Sequence, residues 1–349
     1  MRRRRRLWLI LPAILLILVA GDALFWRVTE NSLDDGFAAW MAAQRAAGWT
    51  AKAGPAVRGG WPLAAILVVP DLSLKAGEAD IPGGLTWSAD RLVLRVALLQ
   101  PRMLEIALQG MERLRLAGGP EVQYTADRLE AVLPLQAGTP PRSIEVSASN
   151  LRASMPTGPD ATSALTVGSL QLHGEFRPEA QSGEPAVAFS LSAETIGPPS
   201  SVARPLGPRI ASFTADGALD GPLPSSRSLA QRAAGWRDGG GTLDIQRLAL
   251  NWGPLDLSAS ATLSLDDQLQ PMGTGNARVV GYAETLDALA AHGAMSRSAA
   301  TAAKAVLSLL AHAPEDGGPP DVEVPLTLQY RTLSMRQVPL VRLPELDWP

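Results

Sequence analysis

The chain has 349 residues, with 31 Lys and Arg against 34 Asp and Glu, and it contains no cysteine. The lack of cysteine excludes disulfides, thiolate metal sites and cysteine nucleophiles. With the five arginines at positions 2–6 set aside, 26 basic residues face 34 acidic ones, a balance of −8. This balance argues against nucleic-acid binding, which draws on surplus Lys and Arg.

The N-terminus combines a basic cluster with an apolar run. Arg2–Arg6 lead directly into Leu7–Trp26, where Asp22 is the only formal charge. Twenty residues at the helical rise of ~1.5 Å span about 30 Å, the thickness of a bilayer's hydrocarbon core. We therefore predict a cytoplasmic basic stub at residues 1–6 and a transmembrane signal-anchor at residues 7–26. The arginines stay in the cytoplasm, which places the remaining chain in the periplasm.

A cleaved signal peptide is the alternative interpretation of the same segment. Leu7–Ala20 has the length of a signal-peptide apolar region, and Gly21–Ala23 resembles a small-residue cleavage site. The apolar character resumes at Leu24–Trp26, which favours an uncleaved anchor with Trp26 at the interface. Both interpretations export the chain, and the favoured one makes it a single-pass protein of the bacterial inner membrane.

Residues 27–48 form a predicted juxtamembrane amphipathic helix. Ser32 is a candidate N-cap, and Gly48 is a candidate C′ residue. Leu33, Phe37 and Met41 recur at helical spacing, so we expect this helix to pack over the exported domain.

From residue 49 to 349 the pattern changes to strict alternation of apolar and polar residues. This period of two is typical of strands with one apolar face, and predicts a mainly β domain of antiparallel meanders with a few helices. The sheet would form a curved groove or a sandwich. Pro325 within a strand pattern indicates an edge or a bulge, and a slip in parity between Ile245 and Leu248 indicates another bulge. The candidate apolar groove face comprises Leu92, Leu94, Val96, Leu255, Leu257, Leu263, Leu326 and Leu328.

Two helical patterns interrupt the strands. Ser226–Trp236 places Leu229, Ala233 and Trp236 on one face, and Glu284–His312 indicates two helices broken at Gly293. The apolar strand face is therefore either an open groove or a core closed by helices and a second sheet.

A weak internal repeat suggests that the exported domain consists of two similar halves. Gly83–Leu94 and Gly240–Leu250 share a glycine pair followed by alternating leucines, and a proline-containing turn follows each. These stretches are consistent with halves at 49–222 and 223–349. The alternative is chance, because unrelated β-meanders also share glycine pairs and proline-containing turns.

A search for reactive constellations gives no catalytic or cofactor motif. None of the three lysines follows a glycine, which excludes a phosphate-binding loop. His173, His292 and His312 lack metal-ligand spacing, and Asp266–Asp267 fits a hairpin turn better than a catalytic pair. We therefore expect neither an enzyme nor a bound cofactor or metal.

Several glycine, tryptophan and proline motifs follow one another along the chain, namely Gly48-Trp49, Gly60-Trp61-Pro62, Gly240-Gly241-x-Leu243, Trp252-Gly253-Pro254 and Leu343-Pro344. Their order resembles a proteobacterial family known only as domain of unknown function 2125. The stretch Leu248–Leu255 is also similar to strand pairs of AsmA-like membrane-anchored envelope proteins. That wider resemblance implies an anchored β-groove that holds or moves phospholipid.

Two functions follow as expectations. The first is a non-catalytic periplasmic envelope protein that binds lipid or another apolar component in a β-groove, with the inner membrane and phospholipid as partners. The second is a structural or assembly scaffold for other envelope proteins. A hydrolase with a dispersed site is a distant third.

Overall fold

The computed structural model describes residues 2–76, 84–116, 119–135, 141–156, 162–199, 204–224, 228–312, 319–335, 338–346 and 348, with side chains from residue 16 onward. The chain divides into two compact units, Met1–Pro141 and Arg142–Pro349. Each unit is an antiparallel sheet with helices on it, which confirms the mainly β class.

Unit 1 begins with one long helix and continues as a small sheet. Its elements are α1 (Arg2–Ala46), β1 (Thr50–Lys52), β2 (Val57–Gly59), β3 (Ala64–Ala76), β4 (Leu85–Ala97), β5 (Met103–Leu116), β6 (Val122–Thr125) and β7 (Arg128–Pro134).

Helix α1 is continuous through the predicted boundary between the anchor and the amphipathic helix. Ser32 is not an N-cap, because its Oγ donates to the carbonyl of Val28 within the helix at 2.9 Å. Gly48 ends the helix as expected, with φ of 93°. No helix in the described part of the chain is long and apolar enough to cross a membrane. Residues 7–15 of the predicted span lie outside the residues whose side chains are described.

The sheet of unit 1 packs its apolar face against the second half of α1. Strand β3 pairs with β1, β2 and β4, and β5 pairs with β4, β6 and β7, all antiparallel. Leu33, Phe37 and Met41 of α1 contact the same cluster as Leu67 and Val69 of β3. Side chains on alternate strand positions share one face, so the apolar face of β3 lies against α1. The second half of this helix therefore forms part of the core of unit 1.

One carboxyl group is buried on this same face. Glu112 of β5 lies between Ala89 of β4 and Tyr124 of β6 in the register of the sheet, and its exposed fraction is 1%. The pKa of Glu112 is raised to about 7, chiefly because burial disfavours the charged form; a hydrogen bond from its own backbone N–H opposes this rise, and the nearby Asp90 carboxylate adds to it. The Tyr124 hydroxyl accepts a hydrogen bond from Trp87 Nε1 at 2.8 Å, and burial raises the pKa of Tyr124. Glu112 is thus a titratable group in an apolar environment.

Unit 2 is a long meander with three helices. Its elements are β8 (Ser143–Pro156), β9 (Thr162–Phe176), β10 (Pro185–Gly197), β11 (Ile210–Asp220), α2 (Leu229–Asp238), β12 (Thr242–Trp252), β13 (Leu255–Leu265), β14 (Pro271–Val280), α3 (Tyr282–Ala291), α4 (Arg297–Leu310), β15 (Asp321–Gln329), β16 (Thr332–Met335) and β17 (Val338–Arg342).

Each strand of unit 2 pairs antiparallel with the next strand in sequence, from β8 to β17. The expected bulge is confirmed, since the register of β12 against β13 shifts between Ile245 and Leu248. Pro325 pairs with Asn276 of β14, and the described pairing of β15 with β16 runs from Leu326 to Gln329.

Helices α3 and α4 follow β14 and cover one end of the apolar sheet face. Tyr282 of α3 and Leu307 of α4 pack with Ala277, Val322 and their strand neighbours. The predicted helix pair is confirmed, with its break between Ala291 and Arg297. The proposed halves at 49–222 and 223–349 place their boundary between β11 and α2, inside unit 2. Because β11 pairs directly with β12, the sheet continues across that boundary.

Candidate ligand-binding site

A cross-strand row of leucines forms the floor of an apolar pocket in unit 2. Leu219 of β11 pairs with Leu243 of β12, and Leu243 pairs with Leu263 of β13. Residues directly opposite in adjacent strands point to the same face of a sheet. Their side chains therefore form a continuous hydrocarbon surface, which Leu265 and Pro271 extend.

Helix α2 covers this floor and is anchored by Trp236. Ser228 caps the helix by accepting from the backbone N–H of Gln231. Trp236 is buried, and its Nε1 donates to the carbonyl of Asp220 at 2.8 Å. The indole packs flat on Gly241, where a Cβ would lie 2.3 Å from the ring. Only glycine at position 241 leaves room for this anchor.

The C-terminal segment forms a side wall of the pocket. The buried side-chain amide of Gln270 accepts from the Leu346 backbone N–H at 2.9 Å and donates to the Leu346 carbonyl at 3.0 Å. Trp348 Nε1 donates to the carbonyl of Leu269 at 2.7 Å. Three hydrogen bonds thus hold Leu346 and Trp348 against the β13–β14 turn.

We expect Gln270→Ala to release the C-terminal wall. Two hydrogen bonds to the Leu346 backbone would be lost, at a cost of about 1–2 kcal/mol in the free energy of unfolding. Limited proteolysis with mass spectrometry should then show faster cleavage near residues 340–346, while cleavage elsewhere is unchanged. Gln268→Ala, at an exposed position of the same turn, is the control. Equal cleavage in the two variants would contradict the assignment of Gln270 as the tether.

The resulting pocket has a volume of about 360 Å³ and an almost wholly apolar lining. This volume lies near the lower end of the range for small-molecule sites, roughly 300–1,000 Å³. Leu223, Leu229 and Leu346 line its mouth and are exposed, as is the charged side chain of Arg232 on α2. The lining comprises Leu219, Leu223, Pro224, Leu229, Arg232, Ala233, Trp236, Leu243, Leu263, Ser264, Leu265, Pro271, Leu346 and Trp348.

The predicted groove residues of unit 1 lie in a hydrophobic core. Leu92, Leu94 and Val96 of β4 are all buried in the core beneath α1. The sequence pattern correctly indicates an apolar strand face, and the helix that covers it is the predicted amphipathic one.

The predicted groove residues of unit 2 share one sheet face but lie in different environments. Leu257 and Leu326 pack against the cluster beneath α3 and α4, and Leu328 is buried in register with Gly273. Leu255 is half-buried beside the β12–β13 turn. Leu263 alone lines the pocket.

Several pocket residues are not distinguished as site residues by the sequence. Leu219 and Leu243 have the same alternation as many core positions, so no local signal separates them. The prediction that Trp236 lies on the apolar face of a helix is confirmed. Leu346 and Trp348 lie in a proline-rich segment without periodicity, so nothing local indicates their position.

The described titratable residues do not form a reactive cluster near this pocket. No group of three His, Asp or Glu side chains among the described residues could hold a metal ion. His292 is the C-cap residue of α3, with its Nδ1 2.9 Å from the carbonyl of Ala288. Asp266 accepts from the backbone N–H groups of Gln268 and Gln270, which confirms the hairpin turn. The pocket can bury a hydrocarbon group, and the cation Arg232 lies beside it.

Comparison with known proteins gives one match. A family model described as "Uncharacterized protein conserved in bacteria (DUF2125)" matches residues 26–344. No curated protein and no solved structure matches the chain.

Proposed function

The chain belongs to the DUF2125 family of bacterial proteins, and on that premise we propose that it is a non-catalytic, membrane-anchored envelope protein that binds an apolar ligand beneath α2. The pocket between the Leu219–Leu243–Leu263 floor, α2 and the C-terminal wall is the observation that carries this proposal.

The ligand class follows from the lining of the pocket. Its walls are leucine, proline and tryptophan side chains, which favour hydrocarbon because burial gains about 25 cal/mol per Å² of apolar surface. At the mouth, exposed Arg232 has no acidic partner among the described residues. A lipid acyl chain inside the pocket, with an anionic headgroup at Arg232, satisfies both features.

The proposed location is the periplasmic side of the inner membrane. The apolar run Leu7–Trp26 after Arg2–Arg6 supports a signal-anchor with the remaining chain exported. The side chains of Leu16, Ile17, Leu18 and Leu24 on α1 are exposed, which suits a surrounding of lipid. The AsmA-like resemblance agrees with a lipid ligand and remains a sequence-based hypothesis.

We expect a pocket-filling substitution to weaken lipid binding. Leu263→Trp places an indole on the pocket floor, and the affinity for a fluorescent long-chain fatty acid should fall at least about tenfold, or about 1.4 kcal/mol. The full chain, extracted in mild detergent, would be titrated with this probe, and co-purified lipid would be measured by native mass spectrometry.

The matched control is Ser258→Trp. Ser258 is an exposed position of the same strand with opposite parity, so its side chain points away from the pocket. This variant should bind the probe as the wild type does. If wild type and both variants carry no lipid and bind the probe equally weakly, the lipid proposal fails and the scaffold function is favoured.

A further inference from the structure

Two neighbouring turns at one end of unit 1 expose large apolar side chains. Trp61 and Leu63 lie in the turn between β2 and β3, and Leu99 lies in the turn between β4 and β5. Their exposed fractions are 53%, 73% and 93%. The backbone N–H of Leu98 donates to the Leu63 carbonyl at 3.0 Å, so the turns are adjacent. We call Trp61, Leu63 and Leu99 the apolar tip.

The apolar tip lies beside the residue of α1 at which its apolar run ends. Trp26 Nε1 donates to the carbonyl of Gly59 at 3.2 Å, directly before the first of these turns. Arg58 of β2 also binds α1, through Asn31 at 3.2 Å and Asp34 at 2.5 Å. Strand β2 is therefore fastened to α1 between Trp26 and Asp34, which places the tip at the level of Trp26.

Unpaired cations accompany these apolar side chains. Arg27 follows Trp26 on α1, and Arg102 follows Leu99 in the β4–β5 turn. Both are exposed, and neither has an acidic partner among the residues that the structure describes. Exposed Trp and Leu side chains interspersed with arginine are typical of surfaces that insert into the interface of an anionic bilayer.

We infer that the apolar tip inserts into the interfacial layer of an anionic phospholipid membrane, beside the point where α1 leaves the bilayer. This inference rests on the proposed membrane anchor and extends it. The tip gives unit 1 a second attachment, so the helix and the two turns together fix the orientation of the sheet relative to the membrane. Arg27 and Arg102 bind headgroup phosphates at the same level.

The test uses the natural lack of cysteine. Full chains carrying Leu63→Cys, Leu99→Cys, Leu18→Cys or Leu116→Cys would each be labelled with a nitroxide and reconstituted into vesicles of phosphatidylethanolamine and phosphatidylglycerol. Electron paramagnetic resonance then compares collisions with oxygen, which concentrates in lipid, and with a water-soluble nickel complex. Leu116 is the matched control, because it is an exposed leucine on β5 at the opposite end from Leu99.

We expect labels at positions 63 and 99 to lie roughly 5–10 Å below the headgroup boundary, the depth of interfacial apolar side chains. The label at 18 should lie deeper, and the label at 116 should be in water.

Water-accessible labels at 63 and 99, with a lipid-embedded label at 18, overturn the tip inference alone and favour a protein partner for the tip. A water-accessible label at 18 overturns both the tip inference and the anchor. A lipid-embedded label at 116 overturns the proposed orientation. Fatty-acid binding by the pocket is measured separately and is independent of all four labels.

Discussion

Glu112→Gln should stabilise unit 1 at pH 8 and leave its stability unchanged near pH 4. In the folded state the pKa of Glu112 is about 7, against 4.5 for the ordinary carboxyl group. A folded-state pKa that is raised favours the protonated form, so the contribution of Glu112 is fully present below pH 4.5 and is lost as the pH rises through about 7. A tenfold change in an acid dissociation constant corresponds to about 1.4 kcal/mol, so ionisation of Glu112 costs about 3 kcal/mol above pH 7.

Urea unfolding of the full chain in mild detergent, repeated between pH 4 and pH 8, measures this effect. The wild type should lose stability across that range, whereas the variant should show a flatter profile. Glu121→Gln is the control, because Glu121 pairs with Arg115 at the surface and its loss should change stability by at most about 1 kcal/mol. Parallel pH profiles for wild type and Glu112→Gln would contradict the buried-acid account.

Trp236→Ala should both destabilise unit 2 and remove the cover of the pocket. Truncation of a buried tryptophan typically costs about 3–5 kcal/mol, and here it removes the anchor of α2. Ala233 and Trp236 are the buried residues of that helix, and Arg237 adds a hydrogen bond to the carbonyl of Asp266 at 3.1 Å. Urea unfolding and titration with the fluorescent fatty acid should show both losses.

Trp40→Ala is the matched control for this truncation. Trp40 lies on the exposed side of α1 and stacks on Phe37, with ring centroids 5.9 Å apart, a contact that contributes about 0.5–1.5 kcal/mol. It should leave fatty-acid binding intact. Gly241→Ala provides a second variant, since its Cβ collides with the indole of Trp236 and should also weaken binding. A Trp236→Ala chain that binds the probe normally would rule out α2 as the cover of the pocket.

Much of the fold follows from hydrophobic periodicity. Alternation in β13 and β15, the slip in β12 and the helix pair after β14 are all visible in the sequence because each depends on residues close together in the chain. The continuity of α1 is not visible there, because Ser32 is a good cap in isolation while tertiary packing of Leu33 and Met41 extends the helix through it. At Ser32, the burial of neighbouring side chains outweighs the local capping preference.

The candidate site is less predictable than the fold. Period two identifies an apolar face but does not say which part of it is covered, so Leu92 and Leu263 have the same signal and different environments. The distinction depends on where α1, α2, α3 and α4 pack, and on the tether between Gln270 and Leu346, which are 76 residues apart. Contacts at that separation leave no trace in local periodicity.

The pairing of each strand in unit 2 with its sequence neighbour has a consequence for the order of folding. Each new hairpin can add to strands already in place, without waiting for segments later in the sequence. The exception is the segment around Leu346 and Trp348, which returns to the β13–β14 turn. The pocket beneath α2 is therefore complete only after this segment has docked, so we expect ligand binding to follow the pairing of the strands that form its floor.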